Sequence, residues 1–173
     1  MVLAAGSCGE TVGLMESRVV VGVDGSSLSM RALAWAAEEA RLRGALLEVV
    51  HVDFCRQEAL QALAPGLIDD EQLVLKRAVA RAQALAPGIL VVGRICDPPP
   101  GKALIAASEG AEMLVVGSRG LSVLRGLTMG SVSSECAHGA LCPVVIIHPA
   151  VSPRAVAHEA GIVGASGTGH SGA

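Results

Sequence analysis

A glycine-rich segment carries the residues of this chain that are best suited to chemistry. Gly117 follows a short apolar run at residues 113–116, and Gly130 directly precedes a predicted helix. Glycines let backbone N–H groups approach an anion without a Cβ in the way, and the first N–H groups of a helix have no partner within it. A strand, a glycine-rich loop and a helix start in this order therefore predict a phosphate-binding site.

The predicted site has six members: Gly117, Gly120, Gly130, Ser131, Val132 and Ser133. The hydroxyls of Ser131 and Ser133 add hydrogen-bonding groups for phosphate oxygens, and Gly130 is expected to adopt a positive φ, which glycine tolerates best. The alternative is a plain turn, because most glycine-rich loops that follow a strand bind nothing. The rest of the chain has to decide between the two interpretations.

A second segment with ligand chemistry, Asp24-Gly25-Ser26, follows the first predicted strand. Asp24 is interpreted as a residue that faces the ligand, and the alternative is that it only ends the strand or caps the helix that follows. Ligands of open parallel sheets bind beyond the carboxyl ends of the strands, where the winding reverses. If the first and fourth strands are neighbours, both segments open into one crevice.

Composition excludes several classes of function. Only 1% of the 173 residues are aromatic and the net charge is -3, which argues against binding of nucleic acid. No apolar run is long enough to span a membrane, and the amino-terminal residues lack the positive region of a signal peptide, so a cytoplasmic protein is expected. The five cysteines form no C-x-x-C pair, which predicts reduced thiols and no metal site.

Periodicity predicts five strands that alternate with four helices. The strands are predicted at residues 18–23, 46–52, 89–95, 113–116 and 143–148, and the helices at residues 27–43, 69–86, 102–109 and 131–140. This alternation indicates an α/β fold with an open parallel sheet and helices on both faces. Residues 18–149 are predicted to form one domain, between a flexible leader at 1–17 and a Gly/Ala/Ser-rich tail at 150–173.

With these segments identified, the chain resembles the universal stress protein family over residues 18–149. The family motif G-x2-G-x9-G-[ST] is matched by Gly117, Gly120, Gly130 and Ser131. The segments V-D-G-S, V-H-V, V-V-G-S-R-G and C-P-V-V-I-I match as well. One departure is Pro98, which stands where the family commonly carries glycine.

The resemblance implies that the domain at residues 18–149 binds a nucleotide, and it implies a five-stranded sheet with the order 3-2-1-4-5 and a set of site residues. In nucleotide-binding members, the acidic residue after the first strand lies near the ribose and phosphates, and Asp24 matches it. The backbone of the second strand contacts adenine, and Leu47 is the best match. The loop glycines, with Ser131, Val132 and Ser133, hold the phosphates.

The resemblance also implies an ATP-binding, homodimeric stress-response or regulatory protein with at most weak ATPase activity. Three alternatives remain: a cyclic AMP-binding protein, a slow ATP hydrolase that uses Asp24 with Mg²⁺, and a structural dimer whose loop is empty. The sequence shows no set of residues placed for nucleophilic catalysis. The fifth strand, residues 144–148, is apolar and predicted to lie at the sheet edge, where it would form the seam of the homodimer.

Overall fold

Runs of β-branched residues form the centre of a parallel sheet. The computed structural model describes residues 3–4, 17–53, 67–119 and 129–149. Within these ranges the strands are β1 Leu3–Ala4, β2 Arg18–Val23, β3 Leu46–Val52, β4 Val91–Cys96, β5 Met113–Gly117 and β6 Val144–Ile147. The helices are α1 Ser27–Arg43, α2 Leu67–Leu85, α3 Pro100–Ala107 and α4 Ser131–Gly139.

The sheet is parallel throughout and has the order β1-β4-β3-β2-β5-β6. For the five strands that the sequence predicts, this is the expected order 3-2-1-4-5, which is therefore confirmed. β2 lies at the centre, where Val21 pairs with Val49 of β3 and with Val115 of β5. The strand that the sequence did not predict is β1, which lies within the expected leader and pairs with Gly93 and Arg94.

Each face of the sheet carries its own apolar core, because alternate residues of a strand point to opposite faces. On one face, Val19 and Val21 of β2 pack in a core that includes residues of α1 and α2. On the other face, Val20 packs in a second core with residues of α3 and α4. This doubly covered sheet explains why the strands read as continuous β-branched runs rather than as alternating ones.

Helix ends in the structure follow local chemistry. The Ser26 hydroxyl accepts a hydrogen bond from the Ser29 N–H at 3.2 Å and so caps α1, and Gly44 ends the helix with a φ of 64°. The prediction that α3 begins at Lys102 is wrong, since the helix begins at Pro100. Proline suits the first helical position because the N–H that it lacks would have no partner there.

A buried group of charges lies on the face that α3 and α4 cover. Glu48 is 1% exposed, and its carboxylate lies 2.8 Å from Arg94 Nε and 3.6 Å from Arg18 Nη1. Burial raises the pKa of Glu48 more than the two guanidinium groups lower it. Arg18 also donates to the Ala107 carbonyl at 3.2 Å, so it ties the end of α3 to this group.

Three cysteines lie in the part of the chain that the structure describes. Cys96 and Cys136 are buried and Cys142 is half-buried. Burial, with smaller contributions from Glu135 and Cys142, raises the pKa of the Cys136 thiol to about 11, which keeps it protonated and a poor nucleophile. In the part of the chain that the structure describes, no helix is long and apolar enough to cross a membrane.

Candidate functional site

A cavity of about 250 Å³ opens at the carboxyl ends of the central strands. Its strand residues are Gly22, Val23 and Asp24 from the end of β2, Val50 and Val52 from β3, and Val116 and Gly117 from β5. The cavity is also lined by residues outside the strands, namely Pro100 and Leu104 of α3, Ser29 of α1, and Arg119. This is the point at which the winding of the sheet reverses, because β2 lies between β3 and β5.

The amino end of α4 forms the polar side of the cavity. Gly130 is the N-cap residue and offers no side-chain hydrogen bond to the helix, and Ser131, Val132 and Ser133 line the cavity. Because the first N–H groups of a helix have no intrahelical partner, these three backbone groups are available to an anion. The positive end of the helix dipole lies at the same place. The structure thus brings the predicted phosphate-binding residues of this segment to one helix end.

The two described glycines of the motif differ in the space around them. Gly130 has φ -82° and ψ 165°, so the expectation of a positive φ is wrong, and a Cβ there would lie in ordinary contact, 3.4 Å from the Ser118 carbonyl oxygen. Gly117 is the tighter position, since a Cβ there would lie 3.2 Å from backbone atoms of Leu28 and Ser29. The need for glycine at Gly117 therefore comes from close approach of α1.

The two serine hydroxyls of the α4 segment have different surroundings. The Ser133 hydroxyl lies 3.0 Å from the carbonyl oxygens of both Ser118 and Gly130 and is buried, so it fastens the loop to the helix. Ser131 is exposed and faces the cavity wall. The prediction of a phosphate contact thus fits the Ser131 hydroxyl, and for Ser133 it fits the backbone N–H.

Asp24 lines the cavity and also takes part in the turn that leads into α1. Its Oδ1 accepts a hydrogen bond from the Ser26 N–H at 2.9 Å, and its own N–H donates to the Ser29 hydroxyl at 3.3 Å. Asp24 is the acidic residue among those that line the cavity. The structure therefore shows the turn role of Asp24, and its ligand role stays a prediction.

Two predicted site residues are not brought to the cavity by the described structure. Leu47 is fully buried in the core on the α1 and α2 face, and its N–H donates to the Leu90 carbonyl. It lies near the start of β3, three residues before Val50 of the cavity wall, which is about 10 Å at roughly 3.3 Å per residue. Val50 and Val52 occupy the place expected of it. Gly120 lies outside the described residues.

Sequence reasoning missed the apolar wall and Arg119. Val50, Val52, Val116 and Leu104 line the cavity from the core that α3 and α4 cover. The strand residues of this wall could have been predicted from their place near the carboxyl ends of β3 and β5, because the last residues of neighbouring parallel strands meet at one edge of the sheet. Arg119 stands inside the G-x2-G segment and was read only as an intervening residue.

A doubly wound parallel sheet, with a cavity at the reversal point and an open helix end on it, defines the class of α/β proteins whose ligands bind at this crevice. The chain belongs to the universal stress protein family, whose family model matches residues 15–148. Universal stress protein Rv3134c of Mycobacterium tuberculosis is 33% identical over 84% of this chain and 53% of its own length. A universal stress protein of Mycolicibacterium smegmatis is 32% identical over 77% of this chain and 48% of its own. The chain thus spans about half the length of these curated relatives.

Solved structures of similar proteins share the fold and include nucleotide complexes. A universal stress protein in complex with cAMP is 32% identical, with a TM-score of 0.63 over 77% of this chain and 97% of that chain. The universal stress protein of Archaeoglobus fulgidus in complex with dAMP is 27% identical, with a TM-score of 0.58 over 78% of this chain and 99% of that chain. Both of these relatives bind an adenine nucleotide.

Proposed function

We propose that the cavity binds an adenine nucleotide, ATP in the first place, and that the protein is a cytoplasmic regulatory protein rather than an enzyme of high turnover. The observation that carries this proposal is the uncapped amino end of α4 at the cavity. A phosphate would accept hydrogen bonds from the N–H groups of Ser131, Val132 and Ser133. The Ser131 hydroxyl would add a fourth donor.

The opposite side of the cavity suits a purine base. Val50, Val52, Val116 and Leu104 offer apolar surface on which the flat faces of a base would be buried. The choice of adenine over guanine rests on the similar proteins that were solved in complex with cAMP and dAMP. The adenine contact that the family resemblance assigns to β3 therefore belongs at the Val50–Val52 end of the strand.

Equilibrium dialysis with labelled ATP, challenged by unlabelled competitors, tests this proposal. We expect ATP to be retained and to be displaced by ATP and ADP at lower concentrations than by GTP. Failure to retain ATP, or equal displacement by GTP, would contradict an adenine nucleotide site. Cyclic AMP is the second candidate, favoured by the 32% identical relative in complex with cAMP, and displacement by it at a lower concentration than by ATP would select it.

Asp24→Asn is expected to lower Mg²⁺-dependent ATP affinity about tenfold, which corresponds to about 1.4 kcal/mol. Carboxylate oxygens are preferred ligands of Mg²⁺, and a Mg²⁺ ion held between Asp24 and a phosphate would lose its charged partner. The Asn side chain still carries an Oδ1 that can accept from the Ser26 N–H, so the melting temperature should fall by less than about 4 °C.

The measurement is ATP titration with Mg²⁺ and with EDTA, alongside thermal unfolding of both proteins. A variant that melts much earlier and binds Mg²⁺-ATP normally would leave Asp24 with the turn role alone. Phosphate release in the same samples examines the alternative of slow Mg²⁺-dependent hydrolysis. If hydrolysis occurs through Asp24, the asparagine variant should lose it.

The proposal includes a homodimer that forms along β6. Among the described strands, β6 pairs on one side only, with β5, and its four residues are half-buried. The carbonyls of Pro143 and Ile147 accept from β5, so by alternation the N–H and C=O of Ile146 point to the free edge. Two such edges could pair antiparallel about a two-fold axis.

Ile146→Pro is expected to convert the dimer into a monomer without unfolding the domain. Proline removes the N–H that points to the free edge, and it leaves the β5 ladder intact because that ladder uses its neighbours. Light scattering should give twice 17.4 kDa for the wild type and 17.4 kDa for the variant. Ile146→Val keeps the N–H and serves as the control. A monomeric wild type, or a folded proline variant that stays dimeric, would show that β6 is not the seam.

A further inference from the structure

Arg119 supplies the positively charged side chain of the cavity. It is the one basic residue among those that line it in the described part of the chain, and it is half-buried. It lies two residues after the end of β5, in the G-x2-G segment. The phosphate contacts proposed above, which are backbone groups of α4, make no use of it.

The Arg119 guanidinium has a buried Nε that is not hydrogen-bonded to any described residue. A Cβ on Gly130 would lie 3.6 Å from the Arg119 Cα, so the residue stands beside the N-cap of α4 and its positive dipole end. A buried donor without a partner is unfavourable, and so is a guanidinium beside the positive end of the α4 dipole. An anion bound between Arg119 and the helix end would relieve both costs.

The amino end of α3, which also borders the cavity, has a carboxylate beside it. Gly101, in the first turn of α3, is so close to Glu135 of α4 that a Cβ there would lie 1.9 Å from Glu135 Oε2. The Glu135 carboxylate thus lies beside the first turn of α3, where its charge disfavours a second anion. Among the described residues that line the cavity, Arg119 is therefore the cationic side chain left for a second phosphate.

We propose that Arg119 binds the second or third phosphate of a nucleoside di- or triphosphate and makes the site prefer these ligands over a cyclic monophosphate. This inference rests on the proposed adenine nucleotide site. The first phosphate occupies the N–H groups of α4, and the guanidinium holds the next one through paired N–H···O hydrogen bonds. A cyclic monophosphate carries one negative charge, which the helix end satisfies by itself.

Competition binding with adenosine, cAMP, AMP, ADP and ATP, in the wild type and in Arg119→Gln, tests the inference. We expect the substitution to weaken ATP and ADP at least about tenfold and to change adenosine and cAMP by less than about twofold. Arg119→Lys should recover part of the ATP affinity, because it restores the charge without the paired geometry. Arg81→Gln, on the exposed side of α2, removes the same charge far from the cavity and should change none of the affinities.

The outcomes separate this inference from the proposed function. The role of Arg119 would be overturned if Arg119→Gln leaves the ATP affinity unchanged, or if it lowers the affinities of ATP, adenosine and cAMP to the same degree. The proposed nucleotide site would stand in either case. A wild type that binds no adenine nucleotide would overturn the proposed function and this inference with it. Thermal unfolding of each variant shows whether a general loss comes from damage to the fold, and a folded Arg119→Lys then decides the case.

Discussion

Ser131→Asp is expected to weaken ATP binding about 100-fold while the protein melts at the same temperature or slightly higher. Ser131 is the first residue of α4, and the helix has no acidic residue in its first turn. A carboxylate there interacts favourably with the helix dipole, typically by about 0.3–1 kcal/mol. The same carboxylate repels a phosphate at the helix end by several kcal/mol, of the order expected for two charges about 4 Å apart near a protein surface.

Opposite changes in stability and affinity make this substitution informative, since damage to the fold would lower both. Ser131→Asn is the matched control, because it has the shape of aspartate without the charge and should keep most of the affinity. The measurements are ATP titration and thermal unfolding of the three proteins. Wild-type affinity in Ser131→Asp would place the phosphate elsewhere. Equal losses in the Asp and Asn variants would point to side-chain size rather than charge.

Glu48→Ala should lower the free energy of unfolding by about 3–5 kcal/mol, the cost of breaking a buried ion pair by removing one partner. The substitution leaves the guanidinium groups of Arg18 and Arg94 buried without their shared carboxylate. Because burial raises the pKa of Glu48 despite these partners, the group gives little net stability as a whole, yet it is costly to break. The midpoint of urea denaturation measures the effect.

Two control variants separate charge from packing. Glu48→Gln keeps the shape and should lose much of the same stability, because the charge is what the arginines need. Glu38→Ala removes a carboxylate from the exposed pair with Arg41 on α1, which has a separation of 2.6 Å, and should leave the midpoint unchanged because exposed pairs are weak. A Glu48→Ala midpoint as close to the wild type as that of Glu38→Ala would contradict the account.

The fold was largely predictable because strands that are buried on both faces need apolar and β-branched residues at most positions, and such runs are visible in the sequence. Arg18–Val23 and Leu46–Val52 are mostly apolar or β-branched, with few polar residues between, and the structure gives them the predicted bounds. Gly44 marked the end of α1 correctly, since it takes the left-handed conformation. The strand Leu3–Ala4 was not predictable, because two residues carry no periodicity and depend on the exposed edge of β4.

The phosphate side of the site was easier to predict than the side of the base. Gly117, Gly130 and the start of α4 are local features of one segment, and their spacing is visible in the sequence. The apolar wall joins residues of β3, β5 and α3 that only the sheet order brings together. The prediction of Leu47 depends on its being in β3 and takes no account of its position along the strand. Because Leu47 lies near the start of β3, it is far from the cavity at the other end.

Amide chemical shifts during titration with Mg²⁺-ATP test the central claim most directly. The account predicts that the N–H resonances of Ser131, Val132 and Ser133 show the largest changes, with smaller changes at Val50 and Val52 where the base would lie. These N–H groups are the proposed donors, so the measurement observes the contact itself. Saturable binding that leaves the three amides unmoved, with the largest changes elsewhere on the domain, would contradict a phosphate site at the amino end of α4.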